Sequence, residues 1–186
     1  RDAHMDMAEV YFGERTKEAR QRTKGINHKI NYGGSAESTA TQNNIPRAIV
    51  EAALLERSRA YPGLIEWTGE IRAKGGRGEL LDNGFGRMMR CDPKRAGTQA
   101  PALVGQGAAR DIVCEAILRF LAEWPHASAY LRGVVHDELV LSVPEPEAEF
   151  WGQALEWAFT FTWKDVPILC DLGTPGNNWA ECYAGE

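Results

Sequence analysis

Long apolar runs are missing from this chain of 186 residues. No stretch approaches the length of a membrane span, and no leader of the secretory type opens the sequence. Cysteine is scarce: Cys91, Cys114, Cys170 and Cys182 form no C-x2-C pair. That spacing argues against a zinc site and a disulfide framework, and a reduced cytoplasmic protein is the simplest reading. Positive charge is not in excess either. The net charge of −5 counts against a general nucleic-acid binder. With 44% hydrophobic and 25% charged residues, the chain can form one large domain or two small ones with a real core.

What the chain has is charge in particular places. Between Arg15 and Lys29 there are six Lys or Arg residues and one acid. Arg87, Arg90, Lys94 and Arg95 form a second basic cluster, whereas acids such as Glu145, Glu147 and Glu149 gather in the C-terminal third. A basic groove on an acidic body fits this distribution. Within the first cluster Arg20, Lys24, His28 and Tyr32 recur every four residues. At about 3.6 residues per turn they share one face of a helix. Ile26 and Ile30 form a narrower apolar stripe, and Gly33-Gly34 stops the helix where a left-handed residue is usual. Arg offers a fixed fork to phosphate oxygens, Lys a mobile charge and Tyr a stacking plane, a set suited to a polyphosphate with a base attached. Spacing alone also describes an ordinary basic surface helix.

The rest reads in order. Asp2 can cap a short helix that places His4 in its first turn, where backbone N–H groups favour anions. Short helices follow from Ser35, from Pro46 to about Arg59 and from Leu64 to Ala73, with a turn at Tyr61-Pro62-Gly63 and a stop at Gly75-Gly76. These helices read as scaffold. Leu80, Leu81 and Phe85, broken by Asn83-Gly84, suggest a hairpin. A Pro-, Gly- and Thr-rich loop is expected over residues 92–102, then a strong amphipathic helix from about Gly105. In residues 131–143 two aliphatic runs flank His136-Asp137-Glu138, the pattern of a strand, a tight turn and a strand. A heavily aromatic helix and a strand over residues 166–172 complete the chain.

Several of these segments resemble family A DNA polymerases, the bacterial polymerase I and phage-type group. Arg20, Lys24, Tyr32 and Gly33, with Asn27, match the family's motif B helix of the fingers, with His28 in place of the usual Phe or Tyr. Arg1-Asp2-x-His4 resembles the segment just before motif B. Phe85-Gly86-Arg87 resembles the segment leading into the palm. Gln106-Gly107-x-Ala109-x-Asp111 resembles the helix beside the primer terminus, although Thr98 and Ala102 stand where members carry Arg and Asn. Val135-His136-Asp137-Glu138 resembles motif C, and Trp179-x-Glu181 the family's closing segment.

The resemblance implies an α+β fold, with helical fingers over residues 1–77 and the C-terminal part of a palm with an antiparallel sheet over 78–186. It implies DNA-directed DNA synthesis in a bacterial or phage-infected cell. His4, Arg20, Lys24, His28 and Tyr32 would bind the dNTP, and Lys24 would protonate pyrophosphate. Arg87, Gln106 and His136 would contact primer-template DNA. Asp137 would bind catalytic Mg2+, of which two ions are expected, with Glu138 assisting. The second metal-bridging Asp belongs to motif A, expected in an upstream segment that also carries the thumb, in the same polypeptide or a separate one. A non-catalytic remnant, a split-polymerase subunit inactive alone and a metal-dependent nuclease are the other readings. The first two differ from a polymerase in primer extension, and the third would need more acids near Asp137.

Overall fold

The computed structural model describes residues 2–183. Arg1, the first residue of the R-D-x-H segment, lies outside them. The chain forms two compact units, Arg1–Gly107 and Ala108–Glu186, and the class is α+β, mostly helical with small antiparallel sheets.

The first unit opens with α1 (Ala3–Phe12) and α2 (Lys17–Asn31). Asp2 caps α1 as expected, while Thr16 caps α2 and starts it earlier than Arg20. Next come α3 (Ala36–Asn43), capped by Ser35, and α4 (Arg47–Ala60). Ile26 and Ile30 of α2 are buried with Ala40, Ile45, Val50 and Ala53, and Tyr11 and Phe12 of α1 lie against them. The α2 stripe read from sequence is therefore the face that holds these four helices together.

Helix α5 (Pro62–Gly76) ends at Gly75-Gly76 as expected but starts earlier than Leu64. Pro62 starts the helix instead of turning the chain, because its fixed φ suits a first helical position and it needs no donor there. Gly75, in the last turn, is buried, and a Cβ on it would lie 2.8 Å from Cys91 Sγ and 2.9 Å from Ala100 Cβ. Its role is close packing.

The hairpin is short, β1 (Leu81–Asp82) against β2 (Met88–Met89). A 3₁₀ turn over Pro93–Arg95 leads into α6 (Ala96–Glu123), a helix that begins well before Gly105 and contains Pro101. The loop expected over 92–102 is thus largely helical. Ala96, Ala100 and Val104, four apart, are buried with Ile71, Leu81 and Cys91. That apolar stripe outweighs the missing proline donor, which Gly97 O would otherwise have received. The same packing moves the compact boundary into α6, later than the functional division expected after residue 77, since the hairpin and the start of α6 pack on α5.

In the second unit β3 (Leu131–Val135) pairs antiparallel with β4 (Glu138–Leu141), and α7 (Ala148–Phe159) supplies Trp151, Ala154 and Ala158 to a core with Phe120 and Ala127. Leu131, Leu141 and Val143 pack on it. The aromatic helix therefore covers the hairpin, as expected. Its tryptophans are not all core, however: Trp157 is 49% exposed, with the Arg119 guanidinium 5.0 Å from its ring centre. After α7 the chain forms a second hairpin, β5 (Phe161–Trp163) with β6 (Val166–Ile168). Its turn, Lys164-Asp165, has φ of 47° and 65°, the positive pair that a two-residue type I′ turn requires.

Two neighbouring glycines test the packing account. Gly75→Ala overpacks the α5 contact and lowers unfolding free energy by about 1–3 kcal/mol. Gly76→Ala, where a Cβ meets nothing within 4 Å, raises it by about 0.5 kcal/mol. Urea titration of the two variants reads both signs.

Candidate functional site

The expected site residues divide between the units. His4, Arg20, Lys24, His28, Tyr32, Arg87 and Gln106 belong to the first, and His136, Asp137 and Glu138 to the second.

In the first unit the organising feature is Asp2. Its Oδ1 accepts from the backbone N–H groups of His4 (2.9 Å) and Met5 (3.0 Å), while its Oδ2 accepts from Arg20 Nε at 2.5 Å. The Arg20 hydrogen bond, followed by the Met5 N–H, holds the Asp2 carboxyl down at about 2. One carboxylate thus caps the helix that carries His4 and fixes the guanidinium of the helix that carries Lys24. Asp2 takes Nε, and among the described residues the two terminal nitrogens of the Arg20 fork have no hydrogen-bond partner, which leaves them to a phosphate.

A second tie runs through Asn27. Tyr11 Oη donates to Asn27 Oδ1 at 2.9 Å, which turns Asn27 Nδ2 toward His4 Nδ1 at 3.4 Å. Burial pushes the Tyr11 phenol up to about 12, which keeps it a donor. With Nδ1 accepting, the neutral His4 ring carries its proton on Nε2, a donor suited to a phosphate oxygen. Neither the Tyr11 bond nor the second use of Asp2 is visible in the sequence spacing. Asn27 had a trace, its place in the motif.

Further along α2, Lys24 and His28 are exposed. The rings of His28 and Tyr32 meet edge to face at 4.7 Å and 75°. Tyr32 is the C-terminal cap of α2 and not its last helical residue, yet the four-residue spacing still brings these two rings together. Gly33 follows with φ of 81°, and a Cβ there would stand 2.5 Å from Gly97 O. Only glycine meets both demands. The basic cluster itself is partly consumed inside the unit. Arg15 bridges Asp6 (3.1 Å) and Glu9 (2.9 Å), and Arg22 lies 4.4 Å from the Phe12 ring centre. The charge offered by α2 is therefore smaller than the sequence count.

Arg87 and Gln106 are both exposed. Asn83, 3% exposed, shapes the turn before Arg87: its Oδ1 accepts from Phe85 N at 3.0 Å and Arg87 N at 3.3 Å. A Cβ on Gly107 would meet Met89 Cε at 3.1 Å, so the α6 turn bearing Gln106 packs on the hairpin leading from Arg87. Gln106 does not open its helix as expected; it sits inside α6 because the helix starts at Ala96.

In the second unit Val135 pairs with Glu138, leaving His136 and Asp137 as a two-residue turn. His136 has φ of 55°, a left-handed conformation uncommon outside glycine and one where local strain gathers at functional turns. His136, Asp137 and Glu138 are all exposed. The Asp137 carboxylate is a hard oxygen donor of the type Mg2+ takes. Among the described residues no three His, Cys, Asp or Glu side chains are grouped to hold a metal ion, so Asp137 fits as one ligand of a site and not as a complete one. No helix among them is long and apolar enough to cross a membrane.

The Asp2 clasp gives a signed pH dependence. Because its folded value lies below the ordinary carboxylate value of 3.8, its contribution is complete above about pH 4 and is lost as pH falls toward about 2. Acid unfolding followed by circular dichroism should show this limb in the wild type. Asp2→Asn should lose it and leave the loss of the other carboxylates unchanged.

The model of DNA polymerase family A matches residues 1–181. The DNA polymerase of Mycobacterium phage D29 is 28% identical over 190 residues, covering 100% of this chain and 30% of the relative. That of Mycobacterium phage L5 is 31% identical over 163 residues, covering 88% and 27%. DNA polymerase I of Pseudomonas aeruginosa is 28% identical over 202 residues, covering 98% and 22%. The chain spans less than a third of the length of these relatives. Among solved structures, the POL domain of Pol1 from M. smegmatis, in complex with DNA primer-template and dNTP, shares the fold at a TM-score of 0.76 and 22% identity, over 91% of this chain and 33% of that one. A family match across almost every residue, on a chain whose motifs stand in family order, leads to one conclusion: the chain belongs to DNA polymerase family A.

Proposed function

We propose that this chain supplies the fingers (residues 1–77) and the C-terminal part of the palm (78–186) for template-directed transfer of a nucleotide to a primer 3′-hydroxyl. The observation that carries the reading is the tie among Asp2, His4 and Arg20. It fixes the His4 and Arg20 donors relative to each other on the two helices next to Lys24. Donors held in place before charge moves stabilise a transition state better than donors that must reorganise.

The roles follow from chemistry. His4 and the Arg20 fork hold non-reacting phosphate oxygens. Lys24, exposed and compact in charge, gives a proton to the departing pyrophosphate. His28 and Tyr32 present ring surfaces to sugar and base. Arg87 binds nucleic-acid backbone, and Gln106 donates to the minor-groove acceptors that correct base pairs share. His136 lies toward the primer end. Asp137, with Glu138 beside it, supplies one carboxylate for Mg2+, and an upstream polymerase segment supplies the other together with the thumb. Magnesium, when bound, lowers the pKa of the attacking hydroxyl and neutralises the leaving group.

Magnesium-dependent primer extension is the test, run with this chain alone and with the segment encoded upstream. Extension only with both is the expected result, abolished by Asp137→Asn. Lys24→Met should lower kcat about a hundredfold or more with little change in DNA affinity. DNA binding without extension in either case would leave a non-catalytic remnant. A separate measurement addresses His28: the ratio of dideoxy to deoxy incorporation should differ between the wild type and His28→Phe, and an unchanged ratio removes His28 from sugar selection.

A further inference from the structure

The first unit contains an open cleft of about 350 Å³ that the proposed reaction does not use, lined by Asn31, Gly33, Arg57, Thr68, Arg72 and Thr98 among others. Arg57 is 6% exposed, an unusual state for a guanidinium. It projects from the apolar face of α4, in line with buried Val50 and Ala53. One of its nitrogens, Nη2, donates to Asn31 Oδ1. Its Nη1 is buried with no hydrogen-bond partner among the described residues, and the same is true of Arg72 Nε.

No Asp or Glu lines this cleft among the described residues. Asn31 is neutral, so its hydrogen bond leaves the Arg57 charge uncompensated. Burial lowers the Arg57 pKa and the Arg72 charge acts in the same direction, while Tyr11 and Tyr61 oppose them in part. Two cations thus repel each other at a site where both have unused, dehydrated donors. A buried cation without a counter-charge destabilises a fold. The fold retains a pair of them, and a bound anion with several acceptor oxygens removes both penalties together.

We propose that this cleft is a phosphate-binding site, with Arg57 and Arg72 as its donors. A tetrahedral oxyanion has acceptor oxygens enough for guanidinium groups on two sides of one cleft, which a halide does not. The cleft begins at Asn31 and Gly33, the end of the helix that presents Lys24 and Tyr32. The phosphate has two possible sources, an internal phosphodiester of a DNA strand or free inorganic phosphate. The site goes beyond the nucleotidyl-transfer reading and does not rest on it: binding is measured without metal, dNTP or an upstream segment.

The experiment uses the whole chain and two probes, inorganic phosphate and a single-stranded oligodeoxynucleotide, against chloride at matched ionic strength. Thermal midpoint and dissociation constant are read for the wild type, Arg57→Met, Arg72→Gln and the control Arg59→Gln, an exposed arginine paired with Glu56. Phosphate should raise the wild-type midpoint where chloride does not. Arg72→Gln should lose that rise and bind phosphate about tenfold more weakly, while Arg59→Gln keeps both. Arg57→Met should be at least as stable as the wild type without phosphate and should not respond to it. If Arg57→Met does not fold, Arg72→Gln decides alone.

Equal weakening of oligonucleotides of any sequence in Arg72→Gln, with a salt slope smaller by about 0.7, identifies the DNA strand as the source. An unchanged oligonucleotide affinity, with the phosphate response lost, identifies the free anion. No midpoint rise with either probe overturns the proposal, and so does a response that persists in Arg72→Gln.

Discussion

The Asp2 carboxylate is the interaction on which the nucleotide-facing part of the first unit depends. It joins two helices: one oxygen closes the N-terminus of α1, and the other fixes Arg20 on α2. Backbone donors at a helix start need an acceptor, and a guanidinium needs a counter-charge. A single side chain meets both needs, so His4 and Arg20 have a fixed relation before any ligand arrives. The chain Tyr11–Asn27–His4 adds the orientation of the imidazole to the position that Asp2 gives it.

Much of this was open to reading in the sequence, where local physics and tertiary demand agree. Ile26 and Ile30 are buried where their spacing puts them, Asp2 and Ser35 cap the helices they precede, and His136-Asp137 turns between two aliphatic strands. The departures occur where tertiary contacts override local preference. Pro101 marks a loop by itself but lies inside α6, because Ala96, Ala100 and Val104 bury a stripe on α5 and β1. Gly75 marks the end of α5 as its type suggests, but its second role, letting Cys91 and Ala100 approach, comes from tertiary packing alone. The hairpin at Lys164-Asp165 has neither Asn nor Gly in its turn, so nothing in its composition announces it.

The site was legible in its residue types and much less so in their relations. The four-residue spacing foretold the His28–Tyr32 contact, and motif position pointed to Asn27. Spacing could not show that Arg15 and Arg22 are engaged with α1, and so it overstated the charge offered to a ligand. Arg57 carries a signal in the sequence. A cation in register with Val50 and Ala53 on an otherwise apolar helix face is a local inconsistency, and such inconsistencies collect at functional positions.

Gly33 gives α2 two unlike attachments. At its C-terminal end the chain turns against the Gly97 carbonyl, a contact of backbone on backbone that dissolved ions do not weaken. Near its N-terminal end the attachment is a charge pair at the surface, between Arg20 and Asp2, which ions in solution screen. Added salt therefore loosens the Arg20–Asp2 tie and leaves the Gly33 contact and the buried face of Ala19, Thr23, Ile26 and Ile30 untouched.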